Sequence, residues 1–72
     1  MTLAEGVPGT QYVVQAIQTD DEELENFLLT LGCYKGESVG IVSQVSGSFV
    51  VSIRDGRYNI DKNLAEAIVV ES

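Results

Sequence analysis

The fold class is decided by residues 37–60, ESVGIVSQVSGSFVVSIRDGRYNI. Three runs in this stretch are rich in β-branched or aromatic residues, a composition that is typical of β-strands. The runs are Glu37–Val45, Ser48–Arg54 and Arg57–Ile60. A two-residue segment separates each run from the next: Ser46-Gly47 predicts a tight turn, and Asp55-Gly56 is typical of a type I′ hairpin turn. The stretch therefore predicts three consecutive antiparallel strands.

Two more strands are predicted outside this stretch, over Gln11–Ile17 and Ile68–Glu71. An open sheet of five short strands would leave two edges exposed to pairing with other chains. Closing the sheet into a barrel removes those edges. We therefore expect a small, mostly β barrel of about five strands, in which Val13–Ile17 and Ile68–Glu71 form the closing pair.

An amphipathic helix is predicted between the first two strands, over residues 20–31. Thr19-Asp20-Asp21-Glu22 has the form of a capping box, in which Thr19 would cap the helix. Apolar residues then recur at helical spacing and predict one buried stripe that covers an open end of the barrel. They are Leu24, Phe27, Leu28 and Leu31. Gly32 follows as the expected left-handed C-cap.

Two shorter segments complete the predicted architecture. Leu3–Gly9 is interpreted as an extended entry segment that ends in a turn at Pro8-Gly9. Asp61–Ala67 predicts one or two helical turns, and Asp61 is the expected N-cap.

The composition limits the possible functions of this 72-residue chain, whose length fits one domain. Its net charge of −7 disfavours nucleic acids and anionic lipid surfaces as partners. The absence of histidine excludes Ser-His-Asp and Cys-His catalysis, and the single cysteine excludes an internal disulfide. No apolar run approaches the roughly 20 residues of a membrane span, and the start lacks the pattern of a signal peptide. We expect a soluble intracellular protein.

Two features could be taken for chemical sites. The acidic cluster at the predicted helix start could ligate a divalent cation, but carboxylates one residue apart diverge on a helix, which favours a solvated helix N-terminus. The cluster consists of Asp20, Asp21, Glu22, Glu23 and Glu25. Cys33 could bind a soft metal weakly, although a small buried hydrophobe is the favoured interpretation. We predict no catalytic residue, no cofactor and no dedicated metal site.

Two surfaces are candidates for binding a partner. The first is the helix and the turn after it, where Tyr34 would be the anchor. Charge complementarity would come from Lys35, Glu22 and Glu23. The alternative is that Tyr34 packs back on the helix end. The second is the hairpin that carries Arg54 and Arg57, which could instead be ordinary edge-strand charges.

The stretch LLTLGCYKGESV, residues 28–39, resembles the FeoA family of bacterial ferrous iron transport. That family has an apolar helix end, Leu-Gly, an apolar residue, two variable residues, Gly and then a strand; here Cys33 and Gly36 occupy the apolar and second glycine positions. The resemblance extends to Leu3 and Gly9 near the start and to LAEAIVVE, residues 64–71, near the end.

The resemblance implies an SH3-like barrel with added helices and no enzymatic activity. It also implies an accessory role beside FeoB, a membrane transporter of Fe²⁺ with a cytosolic GTPase domain. The chain would then be cytoplasmic and recruited to the inner face of the cytoplasmic membrane, without inserting into it. Two alternatives remain open: a carrier or sensor that binds Fe²⁺, for which the ligand supply is poor, and a proline-rich peptide binder that uses Tyr12, Tyr34 or Tyr58.

Overall fold

A computed structural model describes residues 1–71 and contains five strands and two α-helices. The elements in chain order are a 3₁₀ helix Leu3–Glu5, β1 Gln11–Ile17, α1 Glu22–Leu31, β2 Ser38–Val45, β3 Ser48–Ile53, β4 Gly56–Asp61, α2 Lys62–Ala67 and β5 Ile68–Val70. The mostly β composition and the position of the long helix confirm the predicted fold class. Every predicted strand is present, with ends that differ by at most one residue.

The strands form one antiparallel sheet in the order β4-β3-β2-β1-β5. β1 pairs with two strands: residues Gln11–Val13 pair with β2, and the remainder of β1 pairs with β5. Register shifts interrupt β1 between Val14 and Ala16 and β2 between Ile41 and Ser43. Such bulges bend a strand and increase its twist, so the five strands curl into a barrel-like sheet.

The expected pairing of the first and last strands is confirmed, since Val14 faces Val70 and Ile17 faces Ile68. The expected closure is not: among residues 1–71 no hydrogen-bonded ladder joins β4 to β5. The free side of the short strand β5 is occupied instead by the N-terminal residues. The Val70 amide donates to the Met1 carbonyl at 2.9 Å, and Thr2 forms an isolated bridge with Val69. The N-terminus thus protects an edge that the sequence pattern assigns to barrel closure.

A single apolar core lies inside the curled sheet, and it includes no polar or charged side chain of the described residues. All five strands contribute to it, together with α1, α2 and Cys33. Leu3 is also fully buried, because the segment predicted to be extended forms a 3₁₀ helix there. The Thr2 amide donates to the Glu5 carboxylate at 2.8 Å, which stabilises this short turn.

The start of α1 differs from the prediction. The helix begins at Glu22, and its N-cap is Asp21, whose Oδ1 accepts from the amides of Glu23 at 3.0 Å and Leu24 at 3.2 Å. Thr19 is not the N-cap. Its Oγ1 accepts from the Asp21 amide at 3.1 Å and so helps to position the N-cap residue. A carboxylate at this place also complements the positive end of the helix dipole.

The apolar stripe of α1 is only partly buried. Leu28 is completely buried, and Leu24 and Leu31 are half-buried against the core. The prediction that Phe27 belongs to the core is wrong, because its side chain is 48% exposed. Among the apolar residues of the stripe, Phe27 is the one that α1 leaves exposed, while Leu24, Leu28 and Leu31 contact the core.

The two hairpins differ in whether their turns lie where the sequence predicts them. Ser46 and Gly47 both have positive φ, 37° and 80°, which confirms the predicted two-residue turn. In the second hairpin Ile53 pairs with Gly56, so the turn residues are Arg54 and Asp55, one position earlier than predicted. Arg54 takes the left-handed conformation, with φ 55°, that the sequence pattern assigns to glycine.

Candidate functional site

A groove of about 390 Å³ opens between the C-terminal end of α1 and the β3–β4 hairpin. Its walls are formed by the last turn of the helix, by the loop that follows and by the hairpin. The lining residues are Leu29–Gly32, Tyr34, Ile53–Gly56 and Tyr58. The groove therefore combines aliphatic, aromatic and charged groups from segments about twenty residues apart in the chain.

Backbone geometry places Tyr34 at the rim of this groove. Gly32 ends α1 with φ 109°, a left-handed conformation that costs a residue with a side chain about 1 kcal/mol or more. The Tyr34 amide then donates to the Gly32 carbonyl at 2.9 Å, and the Glu37 amide donates to the Tyr34 carbonyl at 2.9 Å. These tight turns place the Tyr34 side chain at the rim of the groove, where 49% of its surface is exposed.

Arg54 connects the hairpin to the loop after the helix. Its Nη2 donates to Glu37 Oε1 at 2.8 Å, and its guanidinium carbon lies 5.9 Å from the centre of the Tyr34 ring. Both charged side chains are substantially exposed, so the ion pair contributes at most about 1 kcal/mol. The cation–π contact adds about 0.5–1 kcal/mol at such a site. The main effect of these contacts is to orient the Tyr34 ring and the Arg54 head.

The structure separates the other candidate residues from this groove. Lys35 lines a different hollow of about 410 Å³ with Val13–Gln15, Gly36 and Glu71. Glu22 and Glu23 lie at the start of α1, roughly 12–14 Å from its end at 1.5 Å per residue. Arg57 precedes Tyr58 on β4 and therefore points to the opposite face of the sheet. Tyr34 and Arg54, assigned to two surfaces by sequence reasoning, are the pair that the fold brings together.

Sequence reasoning misses the contributions of Tyr58 and Asp55 to the groove. It identifies Tyr58 only as a possible peptide-binding aromatic and Asp55 only as a turn residue. A Cβ at Gly56 would collide with the Tyr58 ring, so that ring covers the glycine closely. The sequence feature that could have indicated this contact is the spacing of Gly56 and Tyr58, which are two residues apart and therefore lie on the same face of the strand.

Cys33 is a core residue, as predicted, with 1% of its surface exposed. Burial raises the pKa of its thiol from 9.0 to about 11. Because the thiolate is the form that ligates metals and attacks electrophiles, a thiol kept neutral at physiological pH is poorly suited to either task.

Potential metal ligands are dispersed over the surface. No three His, Cys, Asp or Glu side chains among residues 1–71 converge as a metal ion would require. In the same part of the chain, no helix is long and apolar enough to cross a membrane.

Comparison with solved structures places the fold among small SH3-like domains. The FeoA protein of Stenotrophomonas maltophilia, solved in complex with zinc, is 28% identical with a TM-score of 0.90, over 99% of this chain and 89% of that one. Iron(II) transport protein A from Clostridium thermocellum is 27% identical with a TM-score of 0.86, over 99% of this chain and 44% of that one. The five-stranded, SH3-like architecture expected from the sequence is thereby confirmed.

A more distant likeness shows the fold alone. A manganese-dependent transcriptional repressor is 19% identical with a TM-score of 0.90, and the match covers all of this chain but 41% of the repressor. No curated protein matches. A family model of the FeoA domain, however, matches residues 1–72. Because that match spans the whole chain and agrees with the structural likeness to FeoA proteins, this chain belongs to the FeoA family.

Proposed function

We propose that this chain is a non-enzymatic accessory module of ferrous iron uptake that acts on the cytosolic part of a FeoB-type transporter. Membership in the FeoA family implies a role in ferrous iron transport. The observation that carries the more specific proposal is the Tyr34 ring, half-exposed at the rim of a groove and held there by Arg54. Contact with the transporter would recruit the chain to the inner face of the cytoplasmic membrane.

The groove has the composition of a protein-binding surface. Tyrosine and arginine are enriched among the residues that dominate binding energies at interfaces. Tyr34 and Arg54 already contact each other, and Glu37 holds the guanidinium at 2.8 Å. Binding would therefore freeze few additional rotamers, which lowers the entropic cost of forming a complex.

The proposal is tested by titrating the labelled chain with the isolated cytosolic part of the transporter from the same organism. Tyr34→Ala is expected to weaken binding by about 5- to 150-fold, the equivalent of about 1–3 kcal/mol for an interface anchor. Phe27→Ala is the matched control, because Phe27 is an aromatic residue of nearly equal exposure, 48% against 49%, outside the groove. Thermal melts of both variants verify folding.

One result would contradict this function, and a second would contradict the docking surface. If the wild-type chain does not bind the cytosolic part of the transporter, the accessory role is wrong. If folded Tyr34→Ala binds as well as the Phe27→Ala control, the partner docks elsewhere, and the second hollow beside Lys35 becomes the next surface to test.

A second candidate function is favoured by one observation, the zinc complex of the Stenotrophomonas maltophilia relative. In this alternative the chain carries or senses Fe²⁺. Anaerobic calorimetry with Fe²⁺, Mn²⁺ and Zn²⁺ separates the two, since a few dispersed carboxylates provide only weak binding. A stoichiometric Fe²⁺ site with a Kd below roughly 1 μM, the range of dedicated sites, would favour the carrier over the accessory module.

A further inference from the structure

The outer edge of β4 is an end of the sheet that no strand covers. The sheet ends in β4 on one side and in β5 on the other. Met1 and Thr2 pair with the outer side of β5, whereas β3 is the one strand among residues 1–71 that pairs with β4. All six residues of β4 pair with β3 without a register shift, so no bulge bends the edge away from an incoming strand.

The alternation of the ladder shows which backbone groups this edge presents. Ile53 and Gly56 flank a two-residue turn and therefore form a hydrogen-bonded pair. Such pairs alternate with non-hydrogen-bonded ones, so Tyr58 bonds to β3, while Arg57 and Asn59 direct their amides and carbonyls away from it. Within the described part of the chain these groups have no backbone partner, and both residues are exposed. They are the donors and acceptors that an added strand would use.

The charges of this edge are complementary to a second copy of the same edge. Arg57 and Asp61 lie at the two ends of β4 on one face, because they are an even number of residues apart. Arg57 takes no part in the ion pair found among residues 1–71. Asp61 caps α2 through Oδ1, which leaves Oδ2 able to accept from a cation. Antiparallel pairing of two copies centred on Asn59 places Arg57 of each copy opposite Asp61 of the other.

The neighbouring registers bring like charges together. Pairing centred on Tyr58 would place the Asp55 turn of one copy beside Asp61 of the other. Pairing centred on Arg57 would place that residue opposite itself. Like charges directly opposite each other destabilise a pair of strands, whereas opposite charges stabilise it. The charge pattern of β4 therefore selects the register centred on Asn59.

We propose that β4 pairs antiparallel with β4 of a second copy of this chain, about a two-fold axis at Asn59. Every contact of such an isologous interface occurs twice, so two backbone bonds join the Asn59 residues and two ion pairs flank them. An edge of this length buries less than the roughly 1,200 Å² of a standard interface, so the dimer is weak and forms at high local concentration. The inference goes beyond the proposed function, because it requires no transporter.

The first test measures self-association of the wild-type chain. Sedimentation equilibrium and ¹⁵N amide shifts are followed from about 10 μM to about 1 mM, a range that suits an interface of this size. We expect a monomer–dimer equilibrium, with concentration-dependent shifts that are largest for residues 56–61. A chain that stays monomeric throughout this range, or a dimer whose shifts fall outside β4, would overturn the proposal.

The second test compares Asn59→Pro with Asn59→Ala. Both variants lose the side-chain bond from Ser48, so they differ at the amide that proline lacks. That amide points away from β3, so proline leaves the internal ladder intact. Thermal melts verify folding. We expect the dimer of Asn59→Pro to dissociate at least about tenfold more readily than that of Asn59→Ala, because an acceptor is left unpaired in each copy. Equal dissociation constants would contradict pairing through β4.

The third test addresses the charges and does not depend on the proline variant. Arg57→Gln removes the cation that would face Asp61 of the second copy. Lys35→Gln is the matched control, because Lys35 is exposed, lies outside β4 and changes the net charge equally. Two exposed cross-strand pairs predict about fivefold weaker dimerisation for Arg57→Gln than for Lys35→Gln. If both variants dimerise equally, the register centred on Asn59 is wrong.

Discussion

Leu28→Ala is the sharpest test of how α1 is attached to the barrel. Leu28 is 0% exposed and is the one fully buried side chain of the helix. Removing three buried carbons costs about 2.4 kcal/mol at about 0.8 kcal/mol each, and the remaining cavity raises the total into the range of about 2–5 kcal/mol. At about 0.05–0.15 kcal/mol per residue, a chain of 72 residues has a free energy of unfolding of only about 4–11 kcal/mol.

The neighbouring residue provides the control. Phe27 is 48% exposed, so Phe27→Ala loses about half of the burial energy of a large apolar side chain, about 1 kcal/mol, and alanine recovers part of this through its helix propensity. Urea unfolding followed by circular dichroism gives both free energies, and the slope with denaturant should not change. At about 4–8 °C per kcal/mol for a domain of this size, thermal melts should show the Tm of Leu28→Ala lower by about 8–40 °C. A loss below about 1 kcal/mol for Leu28→Ala, or one no larger than for Phe27→Ala, would refute the tight packing of α1 on the core.

The helix caps and the buried thiol give three more predictions. Asp21→Ala should destabilise the fold by about 0.5–2 kcal/mol in chemical unfolding, because two helix amides lose their acceptor, and Thr19→Ala should cost less. Gly32→Ala should cost more than Gly36→Ala in the same assay: both glycines have positive φ, but only at Gly32 would a Cβ meet another side chain, at 3.1 Å. The free energy of unfolding should fall as the pH rises from 9 to 11, because the unfolded thiol of Cys33 ionises near 9.0 while burial holds the folded pKa at about 11. Unfolding curves at pH 8, 9, 10 and 11 should show a smaller decline for Cys33→Ala, and an equal decline would contradict the raised pKa.

Several features that depend on neighbouring residues could be predicted from the sequence, although the N-cap of α1 was not, and features that depend on packing could not. The Asp61 cap and the Ser46-Gly47 turn belong to the first kind, since each depends on residues within one turn of chain: Asp61 Oδ1 accepts from the Leu64 amide at 2.9 Å. The exposure of Phe27 belongs to the second, because its helical spacing is that of a core residue and only the packing of α1 in the folded chain leaves it exposed. The shifted hairpin turn also depends on the register that β3 and β4 adopt within the sheet.

The groove could not be assembled from the sequence. Its two sides come from the end of α1 and from the β3–β4 hairpin, and the contact between Tyr34 and Arg54 exists only after the sheet curls and brings these segments together. Sequence reasoning names both residues but assigns them to separate surfaces. It does not identify Asp55 as a groove residue, because only the fold places the hairpin turn beside the end of α1.

The amino-acid sequence alone determined the mostly β class, the order of the strands along the chain, the amphipathic helix after the first strand and the acidic surface. Local hydrogen bonding, side-chain periodicity and charge specify these features without reference to distant residues. The tertiary structure decided how the sheet ends, since Met1 and Thr2 protect β5 while β4 and β5 remain unpaired with each other. It also determined that Arg54 of the hairpin lies beside Tyr34 after α1. The proximity of residues twenty positions apart depends on the curvature of the whole sheet and not on either segment alone.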